Sequence, residues 1–114
     1  MLLRTLAVYL SIYSSLIAQD LPTILSTNVD KTQTGLVIKF QLSSYIERSD
    51  ISSWIERDNW FIINVYNIIR PEEGFFSNMI KYPIDDIQQN WSQNALQLSL
   101  HINQNIGRFD VVLD

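Results

Sequence analysis

Two stretches of the chain alternate strictly between apolar and polar positions. In Gly35–Leu42, Leu36, Ile38, Phe40 and Leu42 lie on one face, with Val37, Lys39 and Gln41 on the other. In Ala95–Ile102, Leu96, Leu98, Leu100 and Ile102 oppose Gln97, Ser99 and His101. A period of two marks a strand with one face on a core and one in water, as in antiparallel sheets. Trp60–Tyr66 is rich in aromatic and β-branched residues, the composition that suits a pleated surface. Both of its faces carry apolar groups, so it should be central or partly covered on both sides. Leu21–Thr27, Ile84–Gln89 and Arg108–Leu113 are the remaining strands. Pro22 is tolerable near a strand start, and Phe109, Val111 and Leu113 point inward. Turns fall at Asp30–Gly35 and Arg70–Gly74, the latter with Pro early and Gly closing it.

Residues 45–58 allow two readings. Ile51, Trp54 and Ile55 have helical spacing, and Ser53 with Glu56 could form a capping box. An irregular strand or loop carrying Trp54 as a core plug suits the β context better. No other segment after residue 20 keeps a 3.6-residue period over three turns.

The strand pattern occurs twice. A shift of sixty positions lays Ile24–Leu42 on Ile84–Ile102 without a gap, and each copy is followed by a further apolar run. A duplicated β-unit accounts for this, and so does chance alternation in two β-rich segments. The expected fold is all-β: an antiparallel β-sandwich of two pseudo-symmetric halves.

Met1–Ala18 reads as a secretory signal peptide. Arg4 supplies the positive n-region, Leu6–Ile17 the apolar h-region and Ala18 the cleavage point. The run is short and Ser-rich for a membrane-spanning helix, which needs about 20 apolar residues. An uncleaved anchor and a buried N-terminal helix are the alternatives. The reading gives a domain at 19–114, a periplasmic or secreted location, and a membrane contact only in transit through the signal peptide.

Composition narrows the partners. The 114 residues suffice for one domain, and the net charge of −4 with scattered basic residues excludes nucleic acid as a natural partner. There is no cysteine, so no disulfide or thiolate metal site exists. Charged residues make up only 18%, while nine Asn and eight Gln supply much of the polarity. Amides both donate and accept hydrogen bonds, which suits hydroxyl-rich ligands as well as solvation.

Chemistry of the catalytic kind is sparse. His101 is the one histidine, outward on a strand, with no partner at metal-ligand spacing. The pairs Glu72–Glu73 and Asp85–Asp86 lie in and beside a turn, where carboxylates are usually solvated. No phosphate loop, nucleophile elbow or zinc-protease motif is present. The expectation is a non-enzyme without metal or cofactor. The aromatics are better candidates, because Trp and Tyr stack on sugar rings while neighbouring amides bind hydroxyls. Trp60, Asn64 and Tyr66 share a strand face; Trp91 and Asn94 lie at the second unit's turn; Arg108 opens the last strand. These six residues are the candidate ligand site. The alternative role for the aromatics is to seal the sandwich.

Two β-halves behind an export signal, each an alternating strand followed by an apolar one, resemble the AMIN domain over Leu21–Asp114. The resemblance is one of pattern. Where that family's first half runs Pro-Arg, three apolar residues, Asp and an apolar residue, this chain has Asn59, Trp60, Phe61, Ile62, Ile63, Asn64 and Val65. The Pro and Arg are missing, and Asn64 replaces the Asp. The second half keeps Arg108 ahead of an apolar strand ending in Asp114, with Asp110 inside it. The resemblance implies a sandwich of two symmetry-related sheets, binding of peptidoglycan or another envelope component, and no activity of its own. The rival expectation is a module that pairs with envelope proteins through a sheet edge.

Overall fold

The computed structural model describes residues 2–12, 21–72 and 74–113. It is all-β, with eight strands in two four-stranded sheets. The strands are β1 (Leu2–Ile12), β2 (Ile24–Lys31), β3 (Gly35–Leu42), β4 (Ile51–Glu56), β5 (Trp60–Tyr66), β6 (Ile84–Ser92), β7 (Ala95–Ile102) and β8 (Asn105–Leu113). One sheet is mixed, in the order β2-β3-β1-β8; the other is antiparallel, in the order β4-β5-β7-β6.

The inward stripes read from the sequence face one another across the core. Leu36, Ile38, Phe40 and Leu42 of β3 and Leu96, Leu98, Leu100 and Ile102 of β7 are all buried in a single cluster. Phe61, Ile63 and Val65 of β5 join them. Each such side chain contributes roughly 1.5–3 kcal/mol on full burial. Phe61 meets Phe109 of the opposite sheet edge-on at 5.4 Å between centroids, a favourable aromatic geometry. A 3₁₀ turn at Phe75–Met79 adds Phe76 and Met79 to the core.

The hairpins β2–β3 and β6–β7 have matched pairings. Ile24 pairs with Leu42 and Ile84 with Ile102; each hairpin then slips by one residue, between Ile24 and Ser26 and between Ile84 and Asp86. A bulge of this kind leaves one residue unpaired and bends the strand.

Two expectations need correction, and one open reading is resolved. The sandwich is not wholly antiparallel, because β1 runs parallel to both β3 and β8. Of the two readings of residues 45–58, the strand is the one found: a 3₁₀ turn at Arg48–Asp50 leads into β4. Trp54 is not a core plug, since it lies opposite Ile62 on the outer face of the antiparallel sheet. The pairing of Ser53 with the core residue Ile63 fixes that parity.

The strand β1 falls inside the segment read as an export signal. Leu6, Val8 and Leu10 of β1 are buried, and Thr5, Ala7 and Tyr9 lie on the other face. The same alternation that fits an apolar h-region also fits a half-buried strand. Residues 13–18, Glu73 and Asp114 lie outside the described residues.

Candidate functional site

The outer face of the antiparallel sheet is built by strand register. Its rows run across β4, β5, β7 and β6: Glu56, Trp60, His101, Asp86; then Trp54, Ile62, Ser99, Gln88; then Ser52, Asn64, Gln97, Asn90. Tyr66, Ala95 and Ser92 close the far end. The third row is one of hydroxyl and amides, because four outward polar positions on four strands fall in register.

Beside this row is a hollow of about 230 Å³ lined by Asn64, Tyr66, Asn90, Trp91, Ser92 and Gln97 among others. The small side chain of Ala95 lies between Tyr66 and Ser92 in that end row. Tyr66 is 47% exposed, so its ring is available to a ligand. Asn64 Oδ1 is buried and has no hydrogen-bond partner among the described residues. A buried acceptor left unpaired costs about 1–3 kcal/mol, a cost that a ligand hydroxyl donating to it would remove. The hollow is smaller than the cavities of about 300–1,000 Å³ that enclose drug-sized ligands. It suits one ring of a longer chain.

The opposite end of the face is polar in another way. His101 Nδ1 and Asp85 Oδ1 are 2.5 Å apart, and the Trp60 ring meets His101 edge-on at 5.0 Å. Asp85 reaches His101 from the bulge, where it is the residue left out of the ladder. Both side chains are partly open to solvent. No group of three or more His, Asp or Glu among the described residues is placed to hold a metal ion.

The six candidate residues do not form one face. Trp60, Asn64 and Tyr66 share the outer face of β5, as the sequence parity requires. Trp91 lies on the core side of β6, opposite Leu96, and packs against the core edge. Its indole N–H donates to Gln89 Oε1 at 2.8 Å, and the Arg70 guanidinium sits 5.8 Å from its ring, within cation–π range. Asn94 is exposed in the β6–β7 turn, where its carbonyl accepts the Ile68 N–H at 2.9 Å. Arg108 is in the other sheet, paired with Thr5 on that sheet's outer face. Gln97 and Asn90 were not among the candidates. The outward parity of Gln97 was legible, but its alignment with Asn64 depends on strand pairing.

Comparison with protein-family models, with curated proteins and with solved structures finds no match to this chain.

Proposed function

We propose that the protein is an exported, non-enzymatic module that binds a neutral, hydroxyl-rich polymer of the cell envelope, with peptidoglycan glycan the leading ligand. The observation that carries the reading is the Asn64–Gln97–Asn90 amide row with the buried, unpartnered Asn64 Oδ1 beside the exposed Tyr66 ring. Amides in a row offer alternating donors and acceptors to successive hydroxyls, and Tyr66 offers an aromatic face to a ring. Trp91 lines the same hollow from β6, whereas Arg108 lies on the other sheet and falls outside this site. The matched registers and bulges of the two hairpins support an origin by duplication and two pseudo-symmetric halves, in keeping with the AMIN-like pattern.

The test is co-sedimentation of the full chain with insoluble cell-wall sacculi at low and high salt. Binding should survive high salt, because the recognising groups are neutral. Asn64→Ala combined with Tyr66→Ala should lower binding at least tenfold, while Arg108→Ala leaves it unchanged. Pelleting of the folded double variant at the level of the parent would refute the site.

A second reading rests on β8, an edge strand of the mixed sheet. Such an edge can pair with a strand of an envelope protein. Concentration-dependent assembly in light scattering, abolished by a proline placed within Arg108–Leu113, would favour it.

A further inference from the structure

The two sheets correspond strand for strand except at one position. In the antiparallel sheet, β7 is flanked by β6 on one side and by β5 then β4 on the other. In the mixed sheet, β3 is flanked by β2 on one side and by β1 then β8 on the other. The hairpins β6–β7 and β2–β3 share register and bulge position. The outermost strands also agree: β4 runs in the direction of β7, and β8 in the direction of β3. Only the strand between them differs. The inner strand β5 is antiparallel to both its neighbours, whereas β1 is parallel to both of its own.

We infer that the slot between β3 and β8 is a strand-acceptor site, and that β1 is its replaceable occupant. The preferred ligand is an extended segment of a partner protein with apolar residues at three alternate positions, running antiparallel to β3 and β8. Removal of residues 1–18 on export would vacate the slot. The inference draws on the export reading for that step and not on the glycan face, which lies on the other sheet.

Several observations define the occupant. On the core side, β1 fills the slot with Leu6, Val8 and Leu10, at 0%, 0% and 4% exposure. The opposite face of β1 is Thr5, Ala7 and Tyr9, so the slot requires apolar side chains on one face only. In the corresponding place, β5 presents Phe61, Ile63 and Val65 to the core, which is the pattern an antiparallel strand needs between such neighbours. Without an occupant, β3 and β8 would each expose a row of unpaired backbone groups, and such rows demand partners. Antiparallel pairing is slightly more stable per residue than parallel pairing. The slot is also built for close approach. A Cβ on Gly35 would come within 2.4 Å of the Thr5 carbonyl oxygen, and one on Gly107 within 3.1 Å of that of Arg4.

The test uses the full chain with a protease site inserted within residues 13–20, cut after folding so that β1 remains bound only by pairing. The chain has no cysteine, so Gln41→Cys supplies a single thiol. Gln41 pairs with Ser11 near the C-terminal end of β1. An antiparallel donor places its N-terminal end there instead. The probe is a labelled synthetic peptide of sequence Trp60–Tyr66, carrying a cysteine at one end or the other. The expected result is uptake of one peptide per chain with release of the β1 fragment. With oxidised glutathione added as the two-electron oxidant, disulfide formation with the Gln41→Cys thiol should be at least tenfold greater from the peptide's N-terminal cysteine. Preferential cross-linking from the C-terminal cysteine would overturn the assigned direction. Retention of β1 with no uptake at a hundredfold excess of peptide would overturn the acceptor site. If the cut chain loses its fold, the peptide should restore the β-sheet circular dichroism, and failure to do so overturns the inference equally. An uncut Val8→Asp chain, in which a carboxylate expels β1, provides a second arm with the same expected cross-link. Wall binding through Asn64 and Tyr66 is read separately, so the two proposals fail independently.

Discussion

Gly35→Ala probes the most consequential contact in the fold, the pairing of β1 with β3. Gly35 opens β3, directly after the turn in which its N–H is donated to Thr32 Oγ1 at 2.9 Å. Across the ladder it pairs with Thr5. Considered alone, replacing a strand glycine by alanine stabilises by roughly 0.5–1 kcal/mol through the unfolded chain. Here the added Cβ would lie 2.4 Å from the Thr5 carbonyl oxygen and 3.3 Å from its carbonyl carbon. Both are backbone atoms with no rotamer to escape through, so β1 must shift. Overpacking of this kind costs about 1–3 kcal/mol. The two effects oppose each other and overlap wins, leaving a net loss of about 1–2 kcal/mol. Thermal unfolding of the full chain should show it as a drop in Tm of roughly 5–15 °C. Gly107→Ala is the internal comparison, because its nearest contact is a looser 3.1 Å and its loss should be smaller. A Gly35→Ala protein as stable as the parent, or more so, would refute the placement of β1 beside β3.

Three further outcomes follow from the packing. Phe61→Ala removes a fully buried ring that touches both sheets, and urea unfolding should register a loss of about 3–5 kcal/mol; a loss below about 1 kcal/mol would mean that the two inner faces do not pack as described. Asp85→Asn breaks a His101 pair whose side chains are 27% and 48% exposed, so thermal unfolding should change by less than about 1 kcal/mol, and a larger change would show that the pair is structural. Trp91→Ala should lower stability by about 1–3 kcal/mol and, because Trp91 lines the hollow beside Asn64, weaken sedimentation with sacculi; unchanged wall binding in the folded variant would remove Trp91 from the ligand site.

The strands that the sequence defines best are those with one dry and one wet face. For β3 and β7 the alternation gives both the boundaries and the inward residues, because no competing signal overlaps them. The doubly apolar character of β5 matches its position between β4 and β7, with Ile62 buried on the outer face at 6% exposure. In β1 the signal is ambiguous. An apolar stretch behind an arginine satisfies the requirements of export and of a central strand alike, and the parallel pairing that makes the sheet mixed has no local sequence signature. The core turn at Phe75–Met79 is hidden for a related reason: a single 3₁₀ turn is too short for any period to show.

The candidate site was only half legible, and the bulge in β6 explains which half. Parity counted from the buried Ile84 without interruption would put Trp91 outward and Asn90 inward. The slip between Ile84 and Asp86 reverses everything that follows, because a shift of one residue exchanges the two faces of a strand. Trp91 therefore turns to the core edge, and Asn90 turns out to meet Gln97 and Asn64. The same slip frees Asp85 from the ladder and lets it reach His101. One unpaired residue thus sets both ends of the outer face. It gathers the neutral amides at one end and leaves the carboxylates at the other, and the counterpart slip in β2 gives the opposite hairpin the same geometry. A binding face of this kind depends on where the ladder breaks, which is a property of strand pairing that no single strand's sequence contains.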